Sequence, residues 1–139
     1  GGLQTNKVKF AVKLFDYIHS VDSEKLAKKI ADEQLKIYKK IKIFIQVNIG
    51  DENQKSGINK NEINNLLNYC IKLDLTVIGF MCIPPAKINT GIYFKEMNKL
   101  NKTYNFTELS MGMSSDYLEA VQSNATYLRI GSSIFGQRF

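Results

Sequence analysis

Apolar and polar positions change their period repeatedly along this chain. Short β-branched apolar runs alternate with longer stretches in which apolar residues recur every three or four positions. The runs at 17–21, 41–49, 75–83 and 107–111 read as strands, and 127–135 opens with a fifth. The stretches 8–15, 23–40, 61–73, 92–102 and 115–123 read as helices. In 23–40, Leu26, Ile30 and Leu35 mark one side. In 61–73, Ile63, Leu66, Leu67, Cys70 and Ile71 give the spacing of one buried face. Asn59 and Glu62 resemble a capping box at the start of that helix. Asp116 and Glu119 fall in the first turn of the last helix, where the helix dipole favours negative charge. Pro84-Pro85 stops the third strand.

Repeated strand–helix units imply a parallel sheet. Strands that are apolar nearly throughout fit a sheet covered on both faces. The polar residues cluster where the strands end: His19-Ser20, Gln46 to Asn48, Cys82 to Pro84, Ser110 to Ser114 and Arg129 to Ser133. In parallel α/β folds that edge is where ligands bind. Periodicity alone does not separate a barrel from an open doubly wound sheet.

Composition narrows the function classes. With 139 residues and 44% apolar content, the chain supports one domain with a real core, over 1–139. It opens on Gly1-Gly2 and enters a patterned segment at once, which reads as a truncated start. No apolar run approaches a membrane span, so no membrane partner is expected. The net charge of +6 comes from 17 lysines against 2 arginines, spread over many helix faces. That spread reads as solvated surface, and no nucleic acid partner is expected. Cys70 and Cys82 sit in apolar surroundings with His19 as the one nitrogen ligand available, which argues against zinc. Two buried free thiols fit a reducing, cytoplasmic location.

Two strand ends carry most of the chemistry. In Leu109 to Asp116 a strand ends in small and hydroxyl residues and a helix opens. Free amides at a helix start, with a serine hydroxyl, suit an anion. Ser114 or Ser115 acting as a plain helix cap explains the same residues. In Leu128 to Gly136, Gly131 allows close approach to the backbone and Ser132 and Ser133 add donors. Alternation points Arg129 inward, where a buried guanidinium needs a partner. That partner is either a ligand or a structural carboxylate. If these are the last two strands of a barrel, both segments meet at one phosphate.

Several segments, in order, resemble the signatures of the pyridoxal phosphate homeostasis family. They are Gly1 to Lys9 (GGLQTNKVK), Ile18 to Ser23 (IHSVDS), Gln46 to Ile49 with Lys55-Ser56-Gly57, Gly79 to Pro84 (GFMCIP), Leu109 to Ser114 (LSMGMS) and Arg129 to Gly136 (RIGSSIFG). The resemblance implies the alanine racemase-like barrel of PLP fold type III. It makes this chain a partial TIM (β/α)8 barrel, about strands 4 to 8: a C-terminal fragment lacking the strand that carries the Schiff-base lysine. The cofactor implied is pyridoxal 5′-phosphate, with its covalent lysine upstream of the fragment. Lys55 and Lys87 lie in loops at the correct edge, but solvated loop lysines are poor substitutes.

By that resemblance Ser110, Met111, Gly112 and Ser114 would contact the phosphate, together with Gly131 and Ser132. Arg129 would face the pyridine nitrogen, and Asn6, His19, Asn48 and Met81 would line the ring side. Ordinary packing or strand-end capping explains those last four equally well. The function implied is binding, buffering and delivery of the cofactor without clear turnover, by a protein expected to be monomeric at full length and to serve PLP-dependent apoenzymes. The alternatives are a racemase-like enzyme and a sugar-phosphate-binding barrel enzyme.

Overall fold

The computed structural model describes residues 2–53, 56–85 and 89–131. After a single 3-10 turn at Thr5–Lys7, α1 (Val8–Leu14) leads into β1 (Tyr17–Val21). Then follow α2 (Glu24–Lys36), β2 (Lys42–Gln46), α3 (Ile63–Lys72), β3 (Thr76–Met81), α4 (Thr90–Thr103), β4 (Glu108–Met113), α5 (Tyr117–Gln122) and β5 (Tyr127–Arg129). The strands pair in parallel in chain order, β1-β2-β3-β4-β5.

Consecutive order puts successive crossovers on one side, which decides for barrel-like curling over a doubly wound sheet. The apolar side chains of that side form one core. Val8 and Val12 of α1, Leu26 and Ile30 of α2 and Ile63 and Leu66 of α3 pack on Ile43, Ile45, Phe80, Leu109 and Met111. Curvature follows from simple spacing. Four flat inter-strand steps would separate β1 from β5 by roughly 19 Å. Instead the rings of Tyr17 on β1 and Tyr127 on β5 lie 5.6 Å apart.

The five strands are therefore a half-barrel. This corrects the expectation of a partial barrel of strands 4 to 8. The aromatic side chains of its own strands meet across the inner face.

Local signals explain most element ends. Ser23 caps α2 by accepting from the Leu26 amide at 3.1 Å. The expected capping box at Asn59 and Glu62 does not form; Asn59 opens a 3-10 turn, Lys60–Glu62, with no side-chain cap bond. Leu35 and Ile71 are 74% and 61% exposed, against the expectation of buried faces. Gln34, four residues after Ile30, continues the inward row of α2, and its Oε1 accepts from the Ile41 amide at 3.1 Å. In α3 the inward row is Ile63, Leu66 and Cys70, and Ile71 falls past its edge. Neither Ser114 nor Ser115 caps α5. Asp116 holds the N-cap position, and its carboxylate accepts from the Met113 amide at 2.8 Å.

Asn101 of α4 fastens the centre of the sheet. It is 4% exposed. Its Oδ1 accepts from the Phe80 amide at 3.1 Å, and its Nδ2 donates to the carbonyls of Glu108 at 2.9 Å and Phe106 at 3.3 Å. Asn101→Ala strands a buried amide and two carbonyls, so it is expected to cost about 2–3 kcal/mol. Urea unfolding of the variant beside the parent checks this; an unchanged midpoint would refute it.

Candidate functional site

Alternation along the strands sorts side chains onto two faces. Ile43 and Ile45 join the helix-side core. Phe44 and Met81 are 0% and 2% exposed yet stand outside that core, on the concave face. There they meet Tyr17 and His19 from β1, Ser110 from β4, and Tyr127 and Arg129 from β5. The His19 ring stacks on Phe44 at 4.4 Å and 23°. Tyr127 meets His19 edge-on at 5.5 Å and Phe44 at 5.2 Å. His19 Nδ1 lies 2.8 Å from Ser110 Oγ, joining β1 to β4 across the curl.

Beside this cluster lies a cleft of about 430 Å³, lined by His19, Met81, Tyr127 and Arg129 of the concave side and by Phe15 and Ile18. Arg129 is its main polar feature. Nε and Nη2 of Arg129 are buried and have no hydrogen-bond partner among the described residues. No carboxylate pairs with it there either. Of the two partners the sequence left open, the structural ion pair is absent among the described residues. Burial works against the charge and lowers the pKa of Arg129, and the nearby Cys82 is a smaller, opposing cause. A guanidinium does not relieve this by losing its proton. An anion or strong acceptor in the cleft would.

Burial, and secondarily Arg129, push the pKa of His19 below its usual 6.5. The folded chain therefore resists a proton that the unfolded chain accepts near 6.5. Stability is full above that value and falls as pH drops from it toward the lower folded-state pKa. His19→Gln is expected to remove this part of the pH dependence, read from urea midpoints at about pH 7 and about pH 5. Equal acid sensitivity in both proteins would count against a neutral His19.

Nearer the strand starts, Lys42 Nζ sits 5.5 Å from the centroid of the Tyr17 ring. The hydrogen bond from Tyr127, then Lys42, lowers the pKa of Tyr17. The same bond, then burial, pushes Tyr127 up to about 12. The thiols are poor nucleophiles: burial raises Cys70 to about 11 and Cys82 to about 12. Among the described residues no His, Cys, Asp and Glu group could hold a metal ion.

The residues singled out from sequence fall in several places. His19, Met81 and Arg129 line the cleft. Ser110 is fully buried behind His19. Met111 points into the helix-side core. Gly112, at φ +103°, packs so closely on α5 and β5 that a Cβ would lie 2.7 Å from Ala120 Cβ and 2.9 Å from Leu128 Cδ2. Ser114 lies in the turn between β4 and α5. Gly131 is exposed, and a Cβ there would meet nothing within 4 Å among the described residues, which leaves room against its backbone.

Asn48 spends its amide on the loop after β2, donating to the Glu52 carbonyl at 2.7 Å and accepting from the Glu52 amide at 3.1 Å. Asn6 is exposed beside Lys25, Lys28 and Lys29 of α2, away from the cleft. Gly1, Lys55, Lys87, and Ser132 to Gly136 lie outside the described residues.

Sequence reasoning passed over Phe44 and Tyr127. The signal was available in the two-residue period: Tyr127 shares a face with Arg129, and Phe44 is flanked by the outward Ile43 and Ile45.

Comparison with known proteins agrees with this architecture. The alanine racemase N-terminal domain model matches residues 1–138. A pyridoxal phosphate homeostasis protein of Aquifex aeolicus is 36% identical over 99% of this chain and 65% of its own length. One from Synechocystis is 34% identical over 99% of this chain and 68% of its own. The solved structure of PipY from Synechococcus elongatus, with PLP bound, superposes with a TM-score of 0.88 at 32% identity, over 98% of this chain and 68% of that one. The chain spans just under two thirds of the Aquifex relative's length.

These matches run through nearly the whole chain. They correct its reading as a C-terminal fragment defined by a missing lysine strand: the family likeness is carried by the five-stranded unit itself. This chain belongs to the alanine racemase N-terminal domain family and, within it, to the pyridoxal phosphate homeostasis proteins.

Proposed function

We propose that the chain binds pyridoxal 5′-phosphate reversibly in the concave cleft and serves in its homeostasis, holding the cofactor and releasing it to PLP-dependent apoenzymes. The observation that carries this reading is Arg129, whose Nε and Nη2 nitrogens are buried with no hydrogen-bond partner among the described residues. A pyridine nitrogen is an acceptor of the kind those donors lack. A cleft of about 430 Å³ suits a ligand of this size. PipY, similar over nearly all of this chain, has PLP bound.

Bound PLP supplies an electron sink, strongest when its pyridine nitrogen is protonated. Arg129 donates and does not accept, so it would hold that nitrogen unprotonated and weaken the sink. Holding and releasing the cofactor suits such a site better than turning over substrates with it. The open backbone at Gly131, with Ser114 and the β4–α5 turn, is the proposed place of the phosphate. No lysine lines the cleft among the described residues, so recognition by these side chains is non-covalent.

Calorimetric titration with PLP, with and without excess ribose 5-phosphate, tests the reading. Saturable PLP binding that the sugar phosphate does not displace is expected. Equal binding of both would point to a generic phosphate site and sink the claim of ring recognition.

A further inference from the structure

Ser110 and His19 are joined by a hydrogen bond whose direction the surroundings decide. Ser110 is fully buried, and His19 Nδ1 is its one side-chain partner among the described residues. A hydroxyl always carries a proton that needs an acceptor, and stranding it in the interior is costly. If Nδ1 carried the hydrogen, the Ser110 proton would have no acceptor there. The hydroxyl therefore donates and Nδ1 accepts. The hydrogen of a neutral ring then sits on Nε2.

The ring does not turn freely to exchange its nitrogens. It stacks on Phe44 at 4.4 Å and has the edge of Tyr127 against it at 5.5 Å. His19 is also a lining residue of the cleft, whereas Ser110 is not. The groups around the ring are Tyr17 on its own strand, Phe44 on β2, Ser110 on β4, and Tyr127 and Arg129 on β5. Among the described residues none is a carboxylate that would hold a second proton on the ring. The nearby guanidinium opposes one, which agrees with the lowered pKa of His19.

We propose that His19 presents Nε2–H to the cleft as a hydrogen-bond donor for an acceptor on the bound ligand's ring, and that Ser110 is the positioning residue that fixes this tautomer. The proposal rests on the reading of the cleft as a PLP site for its ligand, but not for its tautomer. With Arg129 it places several donors on the concave lining: Nε2–H of His19 and the Nε and Nη2 groups of Arg129, which have no partner among the described residues. A pyridine ring with an oxygen substituent offers matching acceptors. A ligand offering donors on its ring would leave these groups unpaired and be rejected. Ser110 thereby moves from a phosphate contact to a role behind the ring-side histidine.

The chain has one histidine, so its ring nitrogens can be read without assignment. Long-range nitrogen–proton spectra of the 15N-labelled, ligand-free chain at neutral pH are expected to show a neutral Nε2–H ring. Addition of PLP is expected to shift the Nε2 resonance while Nδ1 keeps its acceptor signature. A ring carrying its hydrogen on Nδ1, an equal mixture, or a protonated ring would overturn the proposal. So would PLP binding seen by calorimetry that leaves Nε2 unmoved.

If calorimetry detects no PLP binding, the cofactor reading and the donor role both fail. The free-chain spectrum still decides the tautomer and the role of Ser110. In Ser110→Ala the ring is expected to drift toward a mixture of tautomers, with PLP affinity about 3- to 10-fold weaker. Ser110→Thr, which keeps the hydroxyl, is expected to restore the wild-type nitrogen pattern. If the alanine variant does not fold, the wild-type spectrum alone carries the decision.

Discussion

Gly79→Ala is expected to cost about 4 kcal/mol or more and to leave little folded chain. The reason is a backbone approach that admits no side chain. An ideal Cβ on Gly79 would lie 1.8 Å from the Glu108 carbonyl oxygen and 2.7 Å from its carbon. Glu108 is the register partner of Gly79 on β4, so neither can withdraw without opening the β3–β4 ladder. The approach arises from a register shift. Ile43 pairs with Val77, but Phe44 pairs with Gly79, which leaves Ile78 as the extra residue. The next residue, Phe80, is the one whose amide Asn101 holds. Clash and staple therefore act on the same seam. Amide dispersion and a urea midpoint for the alanine variant check this. A variant within about 1 kcal/mol of the parent would refute the clash.

Arg129→Met is expected to act with opposite signs on stability and on binding. Without ligand, the substitution replaces a half-buried guanidinium, two of whose nitrogens lack partners among the described residues, by an apolar chain of similar length. It is expected to stabilise the chain by about 1–3 kcal/mol. With PLP, it removes charge-assisted donors, and affinity is expected to fall about 10- to 100-fold. A structural arginine would behave differently, because its loss would destabilise the free chain. Denaturant midpoints with and without PLP separate the two roles. A fall in ligand-free stability would assign Arg129 to the scaffold.

The alternation of strands and helices was legible because period two and period 3.6 are local properties of the chain. Each expected strand and helix has its counterpart, with ends moved by a few residues. Curling was not legible. It depends on which strands neighbour one another and on the contact of Tyr17 with Tyr127, more than a hundred residues apart. The same distinction holds within the site. The inward direction of Arg129 follows from alternation on one strand. The pairing of His19 with Ser110 joins β1 to β4 and has no local signature.

Asn48 shows that a polar residue at a strand end also has structural work: its amide closes the loop after β2. Leu35 and Ile71 show how one residue of phase separates a buried face from a solvated one.

In the proposed site Arg129 is the group that awaits the ligand. Isothermal titration of PLP into the chain and into Arg129→Met, run side by side, addresses that most directly. Saturable one-to-one binding to the parent is expected, with an affinity about 10-fold or more lower in the variant. Equal affinity in the two proteins, or no binding to the parent, would contradict it.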